Sequence, residues 1–173
     1  MKWTNHIIIA GATTAVFNPA LVPVAILGST APDWFETVAN KFFNARLKHR
    51  GKTHILTHWL IAFLFFVFIY DYRGIFAAFA WGGLTHVLAD SFTVSGVPLS
   101  PMSQRRFHLF GGRITTGSPQ EYVISCTIAI ICALAIYTFG ANLSFDQTNS
   151  TGFIPYFFKW WDYYADGLID AAE

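Results

Sequence analysis

The sequence predicts an all-α integral membrane protein. It has about three spanning helices, a short N-terminal helical hairpin and a C-terminal aromatic interfacial helix. Three observations predict this class. Of 173 residues, 54% are apolar or aromatic and only 12% are charged, about half the ~25% of a soluble domain. Five apolar segments follow one another along the chain. The charges between those segments are sorted by sign. With 18% aromatics and a net charge of +1, a disordered chain is excluded. No basic excess exists to neutralise phosphates, so no nucleic-acid partner is predicted.

Residues 7–17 and 20–31 form the first two segments, divided by Asn18-Pro19. Each is near 12 residues, or about 18 Å of helix, too short to cross a bilayer that needs about 20 residues. They read as a half-inserted or buried hairpin. Lys2 before residues 7–16 resembles a signal core, but no small-residue cleavage site follows, so the segment is expected to stay. Residues 55–70 and 74–89 meet the spanning length marginally and share a three-residue connection, which makes a tight helical hairpin. Residues 122–139 meet it cleanly. Cys126 and Cys132 lie six apart in this last segment, on different sides of a helix, so no bridge forms between them. Tyr156, Phe157, Phe158, Trp160, Trp161, Tyr163 and Tyr164 crowd residues 154–164, a composition for a helix at the membrane interface. The whole chain, 1–173, reads as one membrane-embedded domain, with 139–173 as an aromatic, acidic extension.

Loop charges orient these elements. Between residues 35 and 53 stand Lys41, Arg46, Lys48, Arg50 and Lys52 against Glu36 alone. Between 92 and 120 stand Arg105, Arg106 and Arg113 with no acid. Beyond residue 139 a single Lys159 meets Asp146, Asp162, Asp166, Asp170 and Glu173. The positive-inside rule puts both basic loops in the cytoplasm and the tail outside. Topology and anionic headgroups account for the three arginines of the second loop.

On this topology the costly polar residues gather at one boundary. His6 opens the first segment and Asp33 closes the second. His49 and His54 precede the third, with His58 one turn further in. His86 and Asp90 end the fourth at i and i+4, on one helix face. Glu121 begins the fifth. Ionisable groups in membrane segments mark functional sites by default. Histidine and carboxylate are ligands for Zn and related divalent ions. His86/Asp90 and His54/His58 both have the helical spacing for two ligands on one ion. The set suits one to three ions, and a bound ion lowers the pKa of its water to make a nucleophile near pH 7. Each residue also has a plain alternative. His6 can cap a helix, and His86 and Asp90 can be a buried hydrogen-bonded pair. Glu121 can close a capping box with Ser118 and Pro119. Gly82-Gly83 suits close helix packing. His108 has no assigned role.

These residues also carry a family resemblance. Asn5-His6 with Gly11, Pro32-Asp33, His49-Arg50-Gly51-x-Thr53-His54, and Thr85-His86-x-x-x-Asp90 running into Phe92-Thr93-x-x-Gly96-Val97-Pro98-Leu99 occur in one order over residues 5 to 125, with Gly117-Ser118-x-x-Glu121 as a weaker piece. The sequence resembles the YdjM-like family of LexA-binding, inner-membrane-associated proteins classed as metal-dependent hydrolases. The resemblance implies a bacterial inner-membrane location, control within the DNA-damage regulon, and a metal-dependent hydrolase. In the order of ligand types it is similar to zinc phospholipase C and P1 nuclease, which implies phosphoester chemistry, on a phospholipid or another phosphoester. Phe35 stands where members commonly carry a second acid, with Glu36 next to it, and Ile55 stands where Ser is usual.

The expectation is a membrane-bound, divalent-metal-dependent hydrolase, with Zn the first choice of ion. His6, Asp33, His54, His86 and Asp90 are the expected metal ligands. His49, Glu121 and Arg50 are the expected catalytic residues, Arg50 holding an anionic group through its planar fork. Two other classes compete. A metal or ion transporter predicts polar residues at several depths, and residues 122–139 offer only Ser125, Thr127, Tyr137, Thr138 and two cysteines. A non-catalytic membrane adaptor predicts that the site residues are replaceable.

Overall fold

The structure, a computed structural model, describes residues 1–44, 50–70, 73–102 and 105–140. Five helices dominate: α1 (Trp3–Phe17), α2 (Val22–Phe43), α3 (Leu56–Phe68), α4 (Ile75–Ser91) and α5 (Pro119–Gly140). A short antiparallel pair, β1 (Val97–Pro98) with β2 (Arg106–Phe107), ties the loop between α4 and α5, with Pro98 opposite Arg106. The interfacial helix expected at 154–164, the acidic tail and His49 lie outside the described residues.

The N-terminal hairpin forms as expected. Asn18 leaves helical geometry, and its side chain accepts from the Ala20 N–H, while Pro19 starts the next turn with its fixed φ. The second helix does not end at Ala31. It continues through Pro32 to Phe43, so Asp33 sits inside a helix, not at its tip. An interior proline costs a helix about 3 kcal/mol, and here tertiary packing outweighs it. Gly28 of α2 and Gly82 of α4 let the two backbones touch. A Cβ on Gly28 would collide with the Phe79 carbonyl, and one on Gly82 with the Ala25 carbonyl. Gly83 similarly admits the Trp59 ring from α3. The Gly82-Gly83 pair thus has the packing role its sequence suggested.

Twelve of the 17 residues of α4 are buried, so protein surrounds this helix on most sides. It is the axis of the fold rather than a lipid-facing span. None of the 13 residues of α3 is buried, and at 1.5 Å per residue it covers about 20 Å, short of a ~30 Å hydrocarbon core. Among the described residues, one helix is long and apolar enough to cross a membrane, over Pro119–Thr138. The expectation of about three spans is therefore not met by this fold. Hydropathy marks an apolar helix without saying whether lipid or protein covers it.

Two apolar clusters hold the elements together. Leu21, Ala77 and Ala78 pack with Phe17, Val24, Phe63 and Trp81 at one end of α4. Met1, Ile9 and Ala89 pack with Phe92, Ile124 and Ile128 at the other, joining α1 to α5. Between them the C-terminal half of α4 is buried yet polar.

Candidate metal centre

That polar stretch is where the dispersed histidines meet. His86 and Asp90 lie one turn apart on α4, and their side chains face α1 and α2. His6 comes from the first turns of α1, Asp33 from the middle of α2, and His54 from a 3₁₀ turn at Lys52–His54. His6, His54, His86 and Asp90 are all buried. Two overlapping sets have ligand-type atoms within 4.8 Å of one another: His6/His86/Asp90 and Asp33/His54/His86.

Short distances join the two sets into one open cage around His86 Nε2. His54 Nε2 lies 3.2 Å from Asp33 Oδ1 and 4.0 Å from Asp90 Oδ2. His86 Nε2 lies 3.9 Å from Asp33 Oδ1 and 3.8 Å from Asp90 Oδ2. Ligands about 2.0–2.2 Å from a tetrahedral ion sit about 3.3–3.6 Å apart, and these four separations fall close to that range. The other carboxylate oxygen faces elsewhere. Asp90 Oδ1 is 3.5 Å from His6 Nε2, accepts from Arg50 Nη2 at 3.0 Å, and contacts the Met1 amino group. The His6 ring stacks on His86 at 3.7 Å. Asp90 thus stands between the cage and a second nitrogen donor.

Two features fit a cation. The His86 Nδ1–H donates to the Ser29 carbonyl at 2.5 Å, which fixes the tautomer and aims the Nε2 lone pair into the cage. Metal-bound histidines are oriented in this way. At His54, Nδ1 lies 3.0 Å from Thr53 Oγ1 and Nε2 faces Asp33. Second, His86 Nε2 and both nitrogens of His6 are buried without a hydrogen bond. Buried polar atoms rarely go unsatisfied, at a cost of about 1–3 kcal/mol each. A divalent ion would satisfy such nitrogens and offset the two carboxylates.

Both carboxylates are kept ionised. Burial opposes the charge on Asp33, but the His54 hydrogen bond, the His86 and His54 rings and the Trp3 N–H outweigh it and hold its pKa at about 2. Burial opposes the charge on Asp90 as well. His6, the Met1 amino group and His86 overcome it, and hold this carboxyl well below the usual range.

The remaining candidates fall outside the cage. Arg50, in left-handed backbone with φ 56°, engages Asp90 through Nη2 and through Nε at 2.9 Å, and donates from Nη1 to Thr93 Oγ1. It holds the Asp90 carboxylate in place. Buried Glu121 accepts from the Lys2 N–H and the Asn5 amide, both at 3.2 Å, and Ser125 donates to Asn5. This network fixes α1 against α5 and so places His6. The Glu121 carboxylate belongs to neither ligand set, and Glu36 is also outside both. His58 is exposed on α3. Its expected helical pairing with His54 fails because His54 precedes α3 in a separate turn. His108 packs on Gly96 and Gly112, with Nδ1 3.3 Å from the Thr93 carbonyl. Phe35 packs against Trp34, Trp59 and Phe79, so an aromatic cluster occupies the place of a second acid. Sequence reasoning missed Asn5 and Ser125 as supports, and no pattern announces the Ser29 carbonyl.

Fold and site together define a mainly helical protein with one candidate membrane span and a buried His/Asp cluster of metal-ligand composition. Residues 1–153 match the YdjM inner membrane protein family, and the chain belongs to that family. The family's description agrees with the apolar α5. No curated protein and no solved structure matches the chain.

Proposed function

We propose that the protein is an inner-membrane, divalent-metal-dependent hydrolase acting on phosphoester bonds, including those of phospholipid-type substrates. The observation that supports this reading most is the orphaned nitrogen donors converging on two ionised carboxylates. Asp33, His54, His86 and Asp90 would hold the ion, Zn being the ion that two histidines and two carboxylates suit. His6 adds a donor on the far side of Asp90, as a member of the second ligand set. When bound, such an ion supplies Lewis acidity toward a phosphoryl oxygen and lowers the pKa of water.

The chain's own residues supply the rest. Ser29 holds the His86 tautomer. Arg50 fixes the Asp90 carboxylate through two nitrogens. Glu121 and Asn5 hold the start of α1, so that His6 stays stacked on His86. The basic residues flanking the site favour its placement on the cytoplasmic side, with α5 as the anchor.

The test is a panel of phosphomonoesters, phosphodiesters and short-chain phospholipids assayed with the purified protein in detergent. Turnover is expected with at least one class, lost with chelator, regained on adding Zn²⁺, and abolished in His86→Ala. Chelator-insensitive turnover, or none across the panel in protein shown to carry metal, would contradict the reading.

A further inference from the structure

The loop between α4 and α5 builds a cavity that the metal cluster does not use. It has a volume of about 540 Å³ and is lined by Arg50, Ser95, Arg106 and Thr116. Two guanidinium groups and two hydroxyl side chains face it, and no carboxylate is among these lining residues. Asp90 is one guanidinium away, on the buried side of Arg50.

Arg106 is held in a particular way. It lies on β2 opposite Pro98, and its Nη1 donates to the carbonyls of Ser95 at 3.1 Å and Gly96 at 3.2 Å. The Gly96 backbone has φ +56°, and a side chain there would strike His108, so glycine is required for this carbonyl to turn toward the arginine. Both protons of Nη1 are committed to these two carbonyls. Among the described residues no hydrogen bond involves Nε or Nη2. Those two nitrogens form the edge of guanidinium that matches two oxygens of a phosphate or carboxylate. Arg50 is already engaged, donating to Asp90 and Thr93 and ion-paired with Asp90 through Nε. Topology alone explains an arginine in this loop. It does not explain one braced by two carbonyls beside a cavity that Arg50 also lines.

We propose that this cavity is a phosphate-binding subsite, with Arg106 as its principal donor, Ser95 and Thr116 as hydroxyl partners, and Arg50 linking it to Asp90. As the part of the hydrolase site that recognises substrate, it rests on the metal-hydrolase reading. As an anion site it can be measured without turnover. A free phosphate group and a lipid phosphate headgroup share the chemistry it recognises.

The experiment titrates the full chain in neutral detergent with inorganic phosphate and, separately, with dihexanoyl phosphatidic acid, followed by calorimetry, with bound metal measured on each preparation. Saturable binding of at least one probe is expected in the wild type. Arg106→Ala should weaken it at least tenfold with metal content unchanged. Arg113→Ala removes the same charge from an exposed position beside a different cavity and should change it less than twofold. Arg106-dependent binding of either probe supports the subsite, and a response to one probe alone identifies the source of the phosphate. No saturable binding in the wild type, or equal weakening by Arg106→Ala and Arg113→Ala, would overturn it. Arg106-dependent binding in metal-free protein would keep the subsite and remove the metal reading. Full metal content with Arg106-insensitive phosphate binding would do the reverse.

Discussion

Helices α4 and α5 look alike by composition and do opposite jobs. Both are apolar runs that the sequence presents as spans. α4 is enclosed by its neighbours and carries Thr85, His86, Asp90 and Ser91 in buried positions. α5 leaves Val123, Ile130, Ile131, Leu134 and Ile136 exposed and has its buried polar residues, Glu121 and Ser125, only at its start. The difference teaches that a helix apolar all round has two solutions, a protein jacket or a lipid one. Polar residues deep in the run distinguish them. A buried carboxylate on α4 is tolerable because Arg50 and the histidines surround it, whereas the middle of α5 has no such company.

The largest expected effect breaks the α4 side. Asp90→Ala removes a cage ligand and strands the Arg50 guanidinium, and breaking one partner of a buried pair costs about 3–5 kcal/mol. Thermal unfolding in detergent should show a clear loss, with bound metal gone. Arg50→Ala in the same background should recover part of the stability and none of the metal. Next is the α5 side. Ile131→Asp places a charge near the middle of the candidate span, at about 2.5–3.5 kcal/mol. Membrane fractionation should show reduced retention, while an equally exposed wild-type face would stay in the membrane pellet.

A smaller effect is expected at the contact that joins α2 to α4. Gly82→Ala should destabilise by about 1–3 kcal/mol through overpacking and loosen metal binding, since Ser29 and His86 meet across it. Gly11→Ala meets only ordinary van der Waals contacts and should leave both readouts unchanged. The smallest effect is in pH dependence. The pKa of Asp33 is lowered to about 2 from 3.8. In the metal-free protein its stabilisation is therefore present above about pH 4 and disappears as the pH falls toward 2. Asp33→Asn should flatten that acid limb in a chemical-denaturation series.

The sequence revealed the members of the His/Asp cluster better than the scaffold. His86 and Asp90 declared themselves by helical spacing, and His6, Asp33 and His54 by their positions at segment ends. The hairpin turn at Asn18-Pro19 was equally legible. The length of α2 was not, because Pro32 is a stop signal that packing against α4 overrides. The three-span topology is not confirmed, for the reason α4 illustrates: hydropathy counts apolar atoms without identifying what covers them. Arg106 was passed over because a basic loop has a sufficient explanation in topology. Only the two carbonyls that hold its Nη1 set it apart from its neighbours.

The central claim is that the buried His/Asp cage holds a divalent ion. Elemental analysis of the full chain, purified without chelators, tests it most directly. The cage predicts at least one divalent ion per chain in the wild type and essentially none in a folded variant carrying both His86→Ala and Asp90→Ala. A folded wild-type protein with no bound metal, and none taken up on incubation with Zn²⁺, would contradict it.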